Sequence, residues 1–471
     1  MSFTSWTFLP FIAVVLPLYY ALPFRKQNAM LAAASCVFYG AWDVRFLALL
    51  LFSIGMDYVL GHRLEQTEDP SKRKTILIVS VVLNLGILGF FKYFNFFAES
   101  LVALLRGFGF DVPPVYVEVL LPIGISFYTF HSMSYIIDIY RRAMAPMMHF
   151  SDYALYVLYF PQLVAGPIAR AHDVIPQFER PRVVTRTFVV EGLWLILWGY
   201  FKKLVIADNL APIANGVFES RYPAGGVSCL LAIYAFAFQI YGDFSGYTDI
   251  ARGLGKLMGI ELTLNFNLPY FARNPSDFWR RWHISLSTWL RDYLYISLGG
   301  NRFGALATYR NLLLTMVLGG LWHGASWHFV AWGTYHGVLL ALHGWLSGRV
   351  VRGGGPLLPH LPGWLTVLGM FHLTCLGWLI FRASTLRQVA GFLARIATDF
   401  SIDSQAARML GPVVALPALL LAVELWLRNS DDPRTRPGWN RGLGPLAVAA
   451  LVVLIVVLAP MDNANFIYFQ F

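Results

Sequence analysis

Charge is what this chain of 471 residues has least of. Asp, Glu, Lys and Arg make up 13% of it, about half the ~25% usual for soluble globular chains. At ~150 residues per domain the length suggests about three soluble domains, but such domains need far more charge to cover their surfaces. With hydrophobic residues at 57%, the chain reads as an all-α polytopic membrane protein. Cysteine is also scarce. Cys36, Cys229 and Cys375 lie far apart in apolar stretches, which excludes a disulfide framework and a cysteine-based zinc motif. Acidic residues are the smaller share of the charge, 26 against 36 Lys and Arg, for a net +10. In a soluble chain this balance points to nucleic acid. Here the cations sit between long apolar runs, as the cytoplasmic-loop excess of the positive-inside rule, so membrane lipid is the expected partner and nucleic acid is not. Arg25 and Lys26 follow the first apolar run instead of preceding it, the reverse of a cleaved signal peptide. That run is expected to be a retained span with its N-terminus outside.

Apolar runs fall near 6–23, 28–43, 46–61, 75–97, 118–139, 188–206, 227–250, 308–346, 363–381, 411–427 and 443–460. A span needs about 20 such residues, and the run 308–346 holds two, so about eleven to thirteen crossings are expected. The cations concentrate in the loops Arg25–Lys26, Lys72–Lys74, Arg141–Arg186, Arg252–Arg310, Arg349–Arg352 and Arg428–Arg441. Counting alternate loops as cytoplasmic puts the first four inside and both termini outside. No internal repeat is visible, which disfavours transporters built from duplicated halves.

Two stretches do not behave as simple spans. Phe160-Pro-Gln-Leu-Val-Ala-Gly-Pro-Ile-Ala-Arg170 is apolar but broken by Pro161, Gly166 and Pro167. At membrane depth such backbone must be buried in protein or line a wet cavity, and a re-entrant loop is expected. The stretch from Pro275 to Tyr295 reads as one amphipathic interfacial helix. At 100° per residue, Trp279, Trp282, Leu286, Trp289, Leu290 and Tyr293 share one face, and Arg280, Arg281, Ser287, Thr288, Arg291 and Asp292 take the other. Pro275 with Ser276 or Asp277 supplies the start signal. His283 falls at the border of the apolar face.

Ionisable residues inside a membrane are costly, so each is a functional candidate. Four of eleven histidines, His323, His328, His336 and His343, fall in one apolar stretch. Gly319, Gly320 and Gly324 bracket His323, which permits close backbone approach or a helix break. Two readings stand for His323: a general base in acyl transfer, or a structural histidine bonding across helices. His336 and His343, one heptad apart, fit the structural reading. A metal site is not expected: His323 and His328 are five apart with no acidic neighbour, unlike zinc-binding spacings. In Tyr241-Gly-Asp-Phe-Ser-Gly-Tyr-Thr-Asp-Ile-Ala-Arg252, Asp249 and Arg252 are spaced to pair at i and i+3. Asp243 and Ser245 are read as lining a substrate channel. Neither a G-x-S-x-G elbow nor a Walker A loop occurs, so direct transfer fits better than a covalent acyl-enzyme.

The text Arg273-Asn-Pro-Ser-Asp-Phe-Trp-Arg-Arg-Trp-His283, followed by Leu321-Trp-His-Gly324, resembles the membrane-bound O-acyltransferase family, in particular the bacterial branch typified by the alginate O-acetylation membrane subunit. Pro122-Ile-Gly-Ile-Ser-Phe-Tyr-Thr-Phe130, Ser134-Tyr-Ile-Ile-Asp-Ile-Tyr140, Phe160–Pro167, Gly242-Asp-Phe-Ser-Gly-Tyr247 and Phe466-Ile-Tyr-Phe-Gln-Phe471 are similar to it as well. The resemblance implies about eleven membrane helices around a central tunnel, with one acyltransferase domain over 1–471 and a motif-rich core at about 122–346. It implies His323 as the invariant family histidine and His283 as the second, more variable one, with Trp322, Trp279 and Trp282 beside the tunnel. It further implies acetyl-CoA as donor substrate with no bound cofactor, extracytoplasmic acetyltransferase partner proteins, a polysaccharide acceptor, and residence in the bacterial cytoplasmic (inner) membrane. Arg273, Arg280, Arg281 and Arg291 would meet donor phosphates or anionic lipid. In this reading His323 takes the proton of the acceptor hydroxyl, and His283 orients a substrate or stabilises the oxyanion. Peptidoglycan acetylation and teichoic-acid alanylation are compatible alternatives. A transporter or flippase of a polar intermediate, with Asp243 and Asp249 as coupling acids, is the reading from another class, and a scaffold is the third.

Overall fold

The structure, a computed structural model, describes residues 1–118, 120–220, 224–348, 362–427, 444–460 and 466–467. The basic loops Arg349–Arg352 and Arg428–Arg441, and the terminal motif beyond 467, lie outside the described residues. Every regular element among those described is helical. Among the described residues, five helices are long and apolar enough to cross a membrane: Val44–Gln66, Pro70–Gly107, Gly226–Leu257, Gly363–Arg382 and Ser404–Leu427. The sequence expectation of about eleven to thirteen crossings counted apolar runs, and several of those runs are divided in the fold. The run 188–206 becomes Arg186–Tyr200 followed by a π-helical segment, Phe201–Ala207, that carries Lys202 and Lys203. The run 118–139 is helical only from Ile125, because Pro122 precedes it and Gly124 enters the helix at φ +77°.

The chain forms two compact units, Met1–Phe188 with Gly255–Thr263, and Val189–Leu254 with Leu264–Phe471. In the first, Asp43 and Asp69 accept backbone N–H groups at the starts of Val44–Gln66 and Pro70–Leu88, satisfying donors that have no partner inside the helix. The broken stretch Phe160–Arg170 is a four-residue helix, Phe160–Leu163, followed by irregular backbone, and is buried up to Ala169. Its amides find buried side chains. Phe160 N–H donates to Ser35 Oγ at 3.1 Å, Ala169 N–H donates to His131 Nε2 at 3.2 Å, and Tyr156 Oη donates to the Ala169 carbonyl at 3.0 Å. Non-helical backbone at membrane depth requires this internal satisfaction. The second unit contains the sequence-selected site residues, on Gly226–Leu257, the loop that follows it, and the run 304–346.

Candidate active site

The stretch Pro275–Tyr295 is not one helix. It is a short helix Pro275–Trp279, a turn, a second short helix Ile284–Trp289 and a π-helical segment Leu290–Tyr295. The first helix starts at Pro275, as expected, and is capped by Asn274, whose side chain accepts from Asp277 N–H at 2.8 Å. The break falls on His283, whose backbone is left-handed at φ +44°, a conformation uncommon for residues other than glycine. Asn265 holds it there. Its carbonyl accepts from Ile284 N–H at 2.8 Å. Its side-chain Oδ1 accepts from Ser285 N–H at 3.2 Å and from Ser285 Oγ at 2.9 Å, and lies 3.1 Å from His283 Nδ1. The apolar and polar sets survive the break: Trp282, Leu286, Trp289, Leu290 and Tyr293 are buried, while Arg280 and Arg291 are exposed. His283, expected at the border of an interfacial helix, is fully buried. Burial pushes its pKa down to about 3, since desolvation disfavours the imidazolium, so the ring is neutral near pH 7.

The run 308–346 is two helices, Gly304–His323 and Trp327–Leu346, parted at the glycine that follows His323. The glycines permit backbone contact between them. A Cβ on Gly320 would meet the Phe329 carbonyl, and one on Gly333 would meet that of Met316. His323 therefore ends its helix one turn beyond the close approach of Gly320 to Phe329.

His283 and His323 come together, with ring centres 6.4 Å apart. Trp322 lies 6.1 Å from the first ring and 5.0 Å from the second. Phe244 closes on His283 at 4.7 Å, and Trp332 and Phe381 close on His323 at 5.0 and 5.4 Å. Trp279 and Trp332 flank His336 at 5.1 and 4.8 Å, and Trp282 packs on Trp378 at 4.7 Å. Within this aromatic shell, His283 Nε2, Trp332 Nε1, Trp279 Nε1 and His336 Nδ1 are buried with no hydrogen-bond partner among the described residues. Leaving such a group unmade costs about 1–3 kcal/mol, and clusters of them mark places where water or a ligand supplies the missing partner. His328 turns to Ser326 Oγ at 2.8 Å. Among the described residues no three His, Cys, Asp or Glu side chains gather as metal ligands.

Asp243 and Ser245, read from sequence as channel lining, are tied into buried charge networks. Lys203 Nζ lies 2.7 Å from Asp208 and 2.9 Å from Asp243, and Asp243 also accepts from Ile467 N–H at 2.6 Å. Lys202 Nζ lies 2.5 Å from Asp249 and 3.0 Å from Ser245 Oγ. Arg252 stands 3.7 Å from Asp249, at the expected i,i+3 spacing. Both acids named as transporter coupling groups are thus ion-paired. The helices hold other buried acids, Asp57 and Glu424, and Tyr241 donates to Glu424. Of the four arginines, Arg281 pairs with Asp277 at 2.7 Å and Arg291 with Asp292 at 2.6 Å. The Arg273 guanidinium lies over Gly363, and Arg280 faces outward.

Sequence reasoning missed Asn265, Trp332, Lys202, Lys203 and Glu424. The lysines and the glutamate carried a usable signal, as charges inside apolar runs. Asn265 and Trp332 carried none, because an asparagine in a loop and a tryptophan in an apolar helix are ordinary.

Comparison with known proteins bears on this geometry. The profile of the membrane-bound O-acyltransferase family matches residues 127–352. A probable alginate O-acetylase AlgI of Azotobacter vinelandii is 45% identical over 392 residues, covering 82% of this chain and 76% of that protein. The probable alginate O-acetylase AlgI of Pseudomonas putida is 39% identical over 100% of both chains. A peptidoglycan O-acetyltransferase of Helicobacter pylori is 37% identical over 98% of this chain and 96% of its own.

Proposed function

Because the chain belongs to the membrane-bound O-acyltransferase family, we propose that it moves acetyl groups from cytoplasmic acetyl-CoA across the membrane for O-acetylation of an extracytoplasmic polysaccharide. It is a multi-pass membrane O-acyltransferase. The proposal adds the donor, the acceptor class, the inner membrane of a bacterium as its place, and a single catalytic domain over the whole chain. The observation that carries it is the pairing of His283 with His323 inside a closed aromatic shell. Alginate or a similar exopolysaccharide is the favoured acceptor, as the names of the 45% and 39% identical relatives suggest. Extracytoplasmic acetyltransferase partners would complete the delivery. Peptidoglycan is the second reading, favoured by the full-length similarity to the Helicobacter protein.

His323 acts as the general base. As the acceptor oxygen attacks the thioester carbonyl, its proton passes to the His323 imidazole and the new C–O bond forms. The C–S bond then breaks with its electron pair on sulfur, and the imidazolium returns the proton to the thiolate. No net proton is taken up or released. A buried aromatic enclosure strengthens each electrostatic contact in this sequence, and His283 is the second residue touching the substrate.

The test uses the full chain in proteoliposomes with radiolabelled acetyl-CoA on one side and polysaccharide with its partner proteins on the other. Label in ester linkage to the polysaccharide is the expected result. Label that crosses the bilayer chemically unchanged would overturn the proposal in favour of transport.

A further inference from the structure

A side-chain amide has one end that only accepts and one that only donates. Asn265 Oδ1 lies 3.2 Å from the backbone N–H of Ser285, a group that can only donate, which identifies that end as the oxygen. The same oxygen lies 3.1 Å from His283 Nδ1. It has no proton to give, so Nδ1 carries one. In a neutral imidazole the other nitrogen is then a bare acceptor. That nitrogen, Nε2, is buried and without a partner among the described residues, in a ring packed against Phe244, Trp322 and His323. A buried acceptor of this kind calls for a donor from outside the protein.

We propose that Asn265 is a positioning residue that holds His283 as the Nδ1–H tautomer, so that Nε2 receives a hydrogen bond from a hydroxyl group of the acceptor other than the one whose proton passes to His323. This rests on the reading of the site as one for acyl transfer to a hydroxyl. A thioester offers only acceptor atoms, so at the reacting centre the donor that Nε2 calls for is a hydroxyl of the acceptor. The oxyanion role is excluded by the same logic, since a lone pair on Nε2 repels a developing negative oxygen. Asn265 also sets where the ring points. Its carbonyl takes Ile284 N–H at 2.8 Å, and its side chain takes both donors of Ser285, fixing the left-handed turn on which His283 stands. One residue thereby determines the direction of the ring and the position of its proton.

Nitrogen NMR of histidine-labelled full-length protein in nanodiscs reads the tautomer without any reaction. The His283 signals are identified by their loss in His283→Gln. The expected result is Nδ1–H in the wild type and a shift toward Nε2–H in Asn265→Leu. An Nε2–H wild type overturns the proposal. The second arm is kinetic. Asn265→Asp keeps an accepting oxygen but adds a charge that favours the imidazolium, so the acidic limb of the kcat profile should move to higher pH. A limb left in place overturns the proposal, since a merely structural asparagine would behave that way. Asn265→Leu should lower kcat roughly 100-fold and cost nothing further when added to His283→Gln, whereas additive losses would overturn it. A wild type that transfers no acetyl sinks the acyl-transfer reading instead, and leaves the NMR result to stand by itself.

Discussion

The rings of His283 and His323 stand 6.4 Å apart, centre to centre, at 62° to one another, one at a break between short helices and the other at a helix end. The separation is too wide for a direct nitrogen-to-nitrogen hydrogen bond of about 3 Å and suits a group held between them. Replacing His323 with Ala should lower acetyl transfer by roughly 10²- to 10⁴-fold, with membrane insertion intact. Acetylation assays on equal amounts of membrane-inserted protein check this, and wild-type rates in the variant would remove His323 from the chemistry.

Lys202 and Asp249 form a buried pair at 2.5 Å. Breaking one side of such a pair strands the other charge and costs about 3–5 kcal/mol. Asp249→Asn should therefore lower the unfolding temperature in detergent markedly. The double variant Lys202→Met with Asp249→Leu removes both charges of the pair but leaves the buried Arg252 without Asp249, so it should recover part of the loss. Equal melting of single variant and wild type would show the pair to be energetically idle.

Much of the fold was legible because burial, not geometry, is what composition and periodicity report. Five of the six residues of the apolar set of Pro275–Tyr295 are buried and Trp279 is half-buried, although the stretch is broken at His283. Each side chain keeps its preference for water or protein whether or not the helix is continuous. The break itself was hidden, since it depends on Asn265, eighteen residues upstream, whose hydrogen bonds reward a left-handed histidine. Likewise Gly324 announced an interruption after His323, but the backbone contacts of Gly320 and Gly333 belong to a pairing of two helices that no local pattern encodes. Asp243 shows what a single position leaves out: a carboxylate in an apolar run reads as facing a channel, and the cation paired with it, Lys203, sits on a different element.

The contact between the two helices that carry and face His323 has its own test. A Cβ on Gly333 would overlap the Met316 carbonyl, and backbone cannot yield as a flexible side-chain tip can. Gly333→Ala should destabilise the protein by about 1–3 kcal/mol, the usual range for overpacking, and should lower kcat as well by shifting His323. Gly369→Ala is the control, because a Cβ there meets nothing within 4 Å. A Gly333→Ala protein that melts and turns over like the control would show that the helices part without cost.

With His283 offering a lone pair, the negative oxygen that develops on the attacked carbonyl needs a donor from elsewhere. The Trp332 indole N–H is buried, has no partner among the described residues, and belongs to a ring 5.0 Å from His323. Trp332→Phe keeps an aromatic ring in the shell and deletes that one donor. Loss of an oxyanion donor typically lowers kcat by about 10²- to 10³-fold. Because the interaction forms only as charge develops, KM for acetyl-CoA should change little. Stability should hold or rise, since the variant removes a buried group that the resting protein leaves unpaired. The two readouts separate the alternatives: a fall in kcat without a fall in unfolding temperature assigns the N–H to the reaction. The reverse pattern, lower stability with kcat unchanged, would make Trp332 a packing residue and leave the oxyanion to another donor.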